Sequence, residues 1–333
     1  MIEKPSIRDE TIISVLREHY SLPVSQIDFL PIGNDASAWA YRVTTASENN
    51  YFLKLRKEIS NPAGFLVPRF LQDHGMAQAL APLLTRERQL WIPVEGFFLI
   101  LYPFVDGSEA MQVGMSDSQW TEFGSLLKRI HRTKLPAEVS QYVRRETFVP
   151  KWGHIARELQ EQINARNYDD ASQKELAAFW KKNQEIIQTI IEQAERIGKH
   201  LQHADLEFVL CHADIHTANL LLTQGQEMFI VDWDDTLFAP KERDLMFILA
   251  GDKIRTKDEC LFFNGYGNVE INELALTYYR YEWCVQEIGD FGKRVFLTNN
   301  AGKITKESAV EGFMQLFSEG DVIETALNAP VEF

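Results

Sequence analysis

Between Glu207 and Thr236 the chain packs three short apolar runs and three polar side chains into one stretch, and this limits how it can fold. Phe208–Cys211, Leu220–Leu222 and Phe229–Val231 are brief and bounded by polar or turn residues, the pattern of short strands. Gln224, Gly225 and Gln226 predict a turn between the second and third. Asp214, Asn219 and Asp232 stand at the ends of these runs. A loop carboxylate, an amide at the loop's exit and a second carboxylate after a hairpin can converge on one point. Oxygen donors of this kind suit Mg²⁺, which takes few protein ligands and shares the rest with water and phosphate.

The chain before this stretch is first β-rich and then helical. Residues 7–19 carry an amphipathic pattern (Ile12, Val15, Leu16, His19) that ends near Pro23. Ile27–Leu30 starts a strand, and residues 31–43 read as a hairpin around Gly33, Asn34, Asp35, Ala36, Ser37 and Ala38. Small residues there would let backbone N–H groups approach a phosphate, although an ordinary tight hairpin has the same composition. Asn50–Arg56 alternates as a strand and places Lys54 on the same face as Phe52. That lysine either snorkels from a half-buried face or reaches into a cleft as a point charge for phosphate. A helix over 61–73, a hairpin around Glu95 and Gly96, and a proline-stiffened connector from Tyr102 to Gly107 follow. The connector is the expected boundary between a small β-rich lobe, residues 1–102, and a larger helical lobe, residues 103–333.

In the second part, Ser116 to Gln119 is a capping box that launches a helix to about Arg132. A helix is expected over 150–166. A second capping box, Ser172 to Glu175, opens one long helix to about Leu201, with Leu176, Phe179, Ile186, Ile187, Ile190, Ile191, Ala194 and Ile197 on its apolar face. At 1.5 Å per residue such a helix would span about 45 Å. Further helices are expected over 241–251, 270–289 and 306–328.

Composition narrows the partners. The formal net charge is −14. Nucleic-acid binding usually leaves a basic footprint, so that class is excluded, while an acidic cleft suits a small cationic substrate. The longest apolar run, Gly96–Val105, is too short to span a bilayer and contains Pro103. The first residues lack the basic and apolar regions of a secretory signal. A cytoplasmic protein is expected. Cys211, Cys260 and Cys284 show no metal or disulfide spacing and are expected to be buried, inert thiols.

The run HADIHTAN over His212–Asn219, with IVDWDD over Ile230–Asp235, resembles the aminoglycoside phosphotransferase family, whose usual text is H-G-D-x-H-x-x-N and I-D-W-[DE]. The resemblance extends over most of the chain, including Gly124–His131 and Tyr278–Glu282. It implies an α+β, bilobal, protein-kinase-like fold and transfer of the γ-phosphate of ATP, with Mg²⁺, to a hydroxyl of an aminocyclitol or aminoglycoside antibiotic. A related kinase acting on homoserine, choline or methylthioribose would share every one of these parts. Carried over by position, Asp214 is the catalytic base or hydroxyl-positioning carboxylate, and Asn219 and Asp232 hold Mg²⁺. Lys54 contacts the α- and β-phosphates, the backbone of Asn34, Asp35, Ala36 and Ser37 covers them, and backbone groups of Tyr102 and Phe104 meet the adenine edge.

Two departures stand out. Protein kinases pair the strand lysine with a helix glutamate, yet residues 61–75 contain no glutamate, so the carboxylate partner of Lys54 stays open. Ala213 replaces the usual glycine. His212 and His216 are expected to shape the loop through hydrogen bonds, since Mg²⁺ prefers oxygen donors. Asp234 and Asp235 are either exposed surface charge or an acidic rim for a cationic acceptor. Glu282 and Glu287 could join such a rim, with Tyr266, Tyr278, Tyr281 and Trp283 as walls, although aromatics at helical spacing are more often core.

Overall fold

A computed structural model describes residues 4–32, 38–249, 256–298 and 302–329. The chain divides into two compact units. The first joins Met1–Arg145 with Val209–Phe238 and Cys260–Gly267, and the second joins Glu146–Phe208 with Ala239–Glu259 and Asn268–Phe333.

The first unit is built on a five-stranded sheet in the order β1-β2-β3-β5-β4. Its members are β1 (Val24–Leu30), β2 (Ala38–Thr45), β3 (Asn50–Arg56), β4 (Ile92–Val94) and β5 (Phe97–Pro103), each antiparallel to its neighbours. The period-2 rule sorts the side chains of β2, β3 and β5 cleanly. One face carries Tyr41, Val43, Leu53, Leu55, Leu99 and Leu101, buried against Ile12 and Leu16 of helix α1 (Asp9–Tyr20). On the other face Lys54 lies opposite Ala40 and Ile100, and Arg56 opposite Ala38 and Phe98. Helix α2 (Ala63–Asp73) covers part of that second face, where Phe65 joins Ile100 and Leu90 in a small core.

Two three-stranded sheets carry the 207–236 stretch. Leu220–Thr223 pairs with Met228–Ile230 as the expected hairpin, and Gly107–Glu109 adds to its other edge. Val209–Cys211 and Leu237–Ala239 lie in the other sheet, where Leu237 and Phe238 run parallel to Arg144 and Arg145. Backbone bonds tie the hairpin to residues 78–80: Ile230 N–H donates to Gln78 O at 2.7 Å, and Leu80 N–H to Ile230 O at 3.0 Å. The capping box at Ser116 forms as expected. Its hydroxyl accepts from Gln119 N–H at 3.3 Å and its own N–H donates to Gln119 Oε1 at 2.9 Å, starting the helix Asp117–Arg132.

The second unit is helical, and here the structure corrects the sequence reading. The single long helix is two, Ala171–Lys182 and Gln184–Leu201. Asn183 breaks it at φ −108°, ψ 12°, with its side-chain amide donating to Phe179 O at 2.9 Å. That local bond offers the backbone an alternative to the helix. The offset leaves Ile186 37% exposed while Ile187, Ile190, Ile191, Ala194 and Ile197 are buried. The expected second capping box does not form. Asp170 is the cap instead, accepting from Gln173 N–H at 3.0 Å, and Ser172 lies buried within the first turn. The C-terminal helix is also interrupted, into Lys303–Gln315 and Val322–Leu327, where Asp321 caps the second piece. The helix Glu273–Phe296 is longer than expected, and Lys257–Tyr266 is a helix that the sequence reading missed. Cys260 on that helix is exposed, unlike the buried Cys211 and Cys284, so the expectation of three buried thiols holds for two.

Candidate active site

The first unit brings the strand lysine, the catalytic-looking loop and the segment after the hairpin together. The loop begins where Val209–Cys211 ends, and His212 is the post around which it turns. His212 is fully buried, with Nε2 2.9 Å from Val231 O, while Asp214 N–H donates to Nδ1 at 3.3 Å. The ring is thus held between the Asp214 amide at Nδ1 and the Val231 carbonyl at Nε2. Its ring sits 4.7 Å from that of Trp233, whose Nε1–H donates to Ile230 O at 3.1 Å. Thr236 Oγ1 closes the set by donating to Cys211 O at 2.7 Å. The expected loop-shaping role of His212 is what this geometry provides: it joins the 211–214 and 230–236 segments.

Ala213 is buried and sits at φ 73°. In that left-handed region Cβ crowds the following carbonyl at a cost of roughly 1–2 kcal/mol, which glycine avoids. The glycine usual in the related motif therefore answers a backbone demand, and alanine is strained here. Glycine in turn loses about 0.4–1 kcal/mol through its freer unfolded chain. Ala213→Gly is expected to leave a net gain of about 0.5–1 kcal/mol, read as a higher midpoint in chemical denaturation; an unchanged or lower midpoint would show that the loop relieves the strain in another way.

Asp214 is held from two sides. Asn219 Nδ2 donates both to its backbone oxygen at 2.7 Å and to its Oδ2 at 2.9 Å, and His216 Nε2 is 3.5 Å from Oδ1. Because the Asn219 amide nitrogen is turned to Asp214, its Oδ1 is the atom left to face a metal. Asp232 follows the hairpin at φ 59°, a strained conformation for a non-glycine residue of the sort found at functional sites. The protein packed around the Asp232 carboxyl pushes it up, although the residue as a whole is exposed to solvent. Lys54 pulls it down, while the charges of Asp234 and Asp214 push it up again. A divalent cation would reverse that balance. The donor set of Asn219 and Asp232, all oxygen and anionic overall, fits Mg²⁺.

Lys54 Nζ lies 3.4 Å from Asp234 Oδ2, and Arg56 Nη1 lies 2.6 Å from the same oxygen. Burial alone would raise the Asp234 carboxyl, but Lys54 and Arg56 outweigh it and hold it below the usual carboxylate range. Asn61 Nδ2 donates to Asp234 O at 2.7 Å. Asp234 thus turns inward to two cations rather than out to a rim. Sequence reasoning missed Arg56. The available signal was its place two residues beyond Lys54 on one strand face, where a pair of half-buried cations calls for a carboxylate.

The remaining expected residues are more dispersed. Asn34, Asp35, Ala36 and Ser37 lie outside the described residues. Tyr102 pairs across the sheet with Phe52, and the Arg42 guanidinium sits 4.7 Å over the Phe104 ring. Asp235 is half exposed and meets Arg144 Nη2 at 3.3 Å, an exposed pair worth little. Glu282 and Glu287 are on the helix Glu273–Phe296 of the second unit, both partly buried. Tyr278 and Tyr281 of that helix are core, as their spacing suggested.

A lysine-bearing antiparallel sheet and an Asp–Asn–Asp constellation on a hydrogen-bonded loop define a phosphotransferase of the protein-kinase-like α+β class. Residues 28–276 match the phosphotransferase enzyme family (APH), and the chain belongs to it. A crystal structure of spectinomycin phosphotransferase, APH(9)-Ia, in complex with ADP and spectinomycin is 30% identical, with a TM-score of 0.87 over 98% of this chain and 99% of that one. Protein StrN of Streptomyces griseus is 22% identical over 311 residues, 88% of this chain and 89% of that protein. Choline kinase LicA from Streptococcus pneumoniae shares the fold at 13% identity and a TM-score of 0.55, over 92% of this chain and 99% of that one.

Proposed function

We propose that the protein is an ATP- and Mg²⁺-dependent O-phosphotransferase whose acceptor is a hydroxyl of an aminocyclitol antibiotic of the spectinomycin type. One observation carries the acceptor class: the end-to-end likeness to spectinomycin phosphotransferase at 30% identity. The charge of −14 suits the cationic acceptor that such an antibiotic presents. In this reading residues 1–102 form the nucleotide-binding lobe and 103–333 the catalytic and acceptor-binding one. Protection of the cell from the antibiotic would be the consequence, and the cytoplasm, where ATP is made available, the place of action.

The chemistry follows from how the side chains are held. Phosphoryl transfer passes through a loose transition state, so positioning and charge neutralisation carry most of the catalysis. Asp214, fixed by Asn219, would accept a hydrogen bond from the acceptor hydroxyl, aim its oxygen in line with the phosphorus, and take the proton late. Lys54 would neutralise the phosphate oxygens. Asn219 and Asp232 would hold Mg²⁺, which when bound supplies charge neutralisation on the phosphates. Tyr102 and Phe104 would offer backbone groups to the adenine edge, and Asp235, Glu282 and Glu287 stay as candidates for the acceptor's amines.

A metabolic kinase for choline, homoserine or methylthioribose is the second reading, since the fold is shared with choline kinase. ADP release, measured across spectinomycin, a deoxystreptamine aminoglycoside, choline, homoserine and methylthioribose, decides between them. Spectinomycin-dependent turnover at least tenfold above the other acceptors is expected; turnover with choline, homoserine or methylthioribose alone would move the protein to the second class.

A further inference from the structure

We infer that Asp234 is the carboxylate that positions Lys54, which shares it with Arg56, and that it takes the place of the missing helix glutamate. This rests on the phosphotransferase reading above and concerns the same site. Three observations converge on it. The cations Lys54 and Arg56 are two residues apart on β3 and therefore point the same way. Both reach the same oxygen, Asp234 Oδ2, at 3.4 and 2.6 Å. Arg56 is only 11% exposed, so it cannot swing out to water and needs a fixed anion beside it. The two like charges repel, and the shared carboxylate offsets that repulsion.

Helix α2 explains why the acid comes from the 232–235 segment. A Cβ on Gly64 would stand 3.1 Å from Asp234 Cα and from Trp233 O, so the first turn of the helix lies directly against that backbone. Asn61, just before the helix, binds Asp234 O at 2.7 Å. The helix thus fixes the backbone of Asp234 where a helix glutamate would otherwise supply the carboxylate itself. The lysine anchor and Asp232 are then two residues apart on one segment. Whatever seats Asp232 also seats Lys54, which ties the placement of lysine to the placement of the proposed metal ligand.

Asp234 is a positioning residue in this scheme, and its loss should act through Lys54. The test is ADP release with Mg²⁺ and ATP, using spectinomycin as acceptor and slow hydrolysis by water as a second readout that needs no acceptor. Wild type, Lys54→Met, Asp234→Asn and the double variant are compared. Asp234→Asn is expected to lower kcat at least tenfold with KM for ATP within threefold. In the Lys54→Met background the same substitution should cost less than threefold. Arg56→Lys, which keeps the charge but loses the planar fork, provides a parallel series should Asp234→Asn fold poorly, and should show the same loss of effect in the Lys54→Met background. Additive losses in the double variant, or recovery of Asp234→Asn by raised Mg²⁺, would overturn the inference, the latter because it would make Asp234 a metal ligand. Absence of ATP turnover by wild type under both readouts would remove the phosphotransferase reading itself; turnover by wild type with an insensitive Asp234→Asn removes only the inference.

Discussion

Asp214→Ala is expected to lower kcat by about 10²–10⁴, the range for loss of a positioned general base, with KM for ATP changed no more than a few-fold. The split follows from what Asp214 touches. Its carboxylate is bound by Asn219 at 2.9 Å and approached by His216 at 3.5 Å, and its backbone N–H by His212 at 3.3 Å. Within these contacts nothing is addressed to a nucleotide. Removing the side chain should therefore leave nucleotide binding in place while the acceptor hydroxyl loses its aim. Asp214→Asn sharpens the result, because an amide keeps the shape but accepts a proton poorly. A loss as deep as that of alanine assigns the effect to charge and proton acceptance, and a much shallower loss assigns it to position. Glu307→Ala is the control. Glu307 is half exposed and faces Lys303 one turn away at 3.7 Å, an exposed pair worth little, so kcat should stay within twofold. Turnover of Asp214→Ala at the wild-type rate would remove this residue from the mechanism.

How far the sequence reveals such a site depends on the range of the forces involved. The strand Asn50–Arg56 has the bounds that alternation predicts, and the Ser116 capping box is present, because both are set by neighbours along the chain. Asp214, Asn219 and Asp232 could be picked out because one short stretch carries them all. Three features were hidden for physical reasons. The break at Asn183 depends on a side chain competing for a carbonyl one turn back, which apolar periodicity does not register. The strain at Ala213 is a backbone angle, visible only as a departure from the usual glycine until φ is known. The Lys54–Asp234–Arg56 cluster joins β3 to a segment far along the chain, and composition near β3 showed only that a carboxylate was wanting.

Gly265→Ala should be the most damaging of the small core substitutions, for a reason equally absent from any local pattern. The helices Asp117–Arg132 and Lys257–Tyr266 cross through glycine on both sides. A Cβ on Gly265 would lie 1.8 Å from Thr121 O, and one on Gly124 would lie 2.0 Å from Phe262 O. Real Cβ atoms essentially never approach below 3.0 Å, and both obstacles are backbone, so no rotamer change can relieve them. The helices would have to separate by more than an ångström. That would loosen Phe123 from Phe262, whose rings stand 5.2 Å apart edge to face, and stretch the 2.7 Å bond between His131 and Tyr266. Overpacking of an ordinary core costs about 1–3 kcal/mol; with backbone as the obstacle, a loss of about 3 kcal/mol or more is expected, lowering the thermal midpoint by about 4 °C or more for a chain of this length. Gly153→Ala is the matched comparison. It too lies in a helix, as the first residue of Gly153–Ala165, but its Cβ would find nothing closer than 3.7 Å, and alanine is the better helix former, so a gain of about 0.5–1 kcal/mol is expected. Equal midpoints for the two variants would mean that the crossing yields easily, whereas opposite shifts would show that close backbone approach, rather than glycine content, holds these helices together.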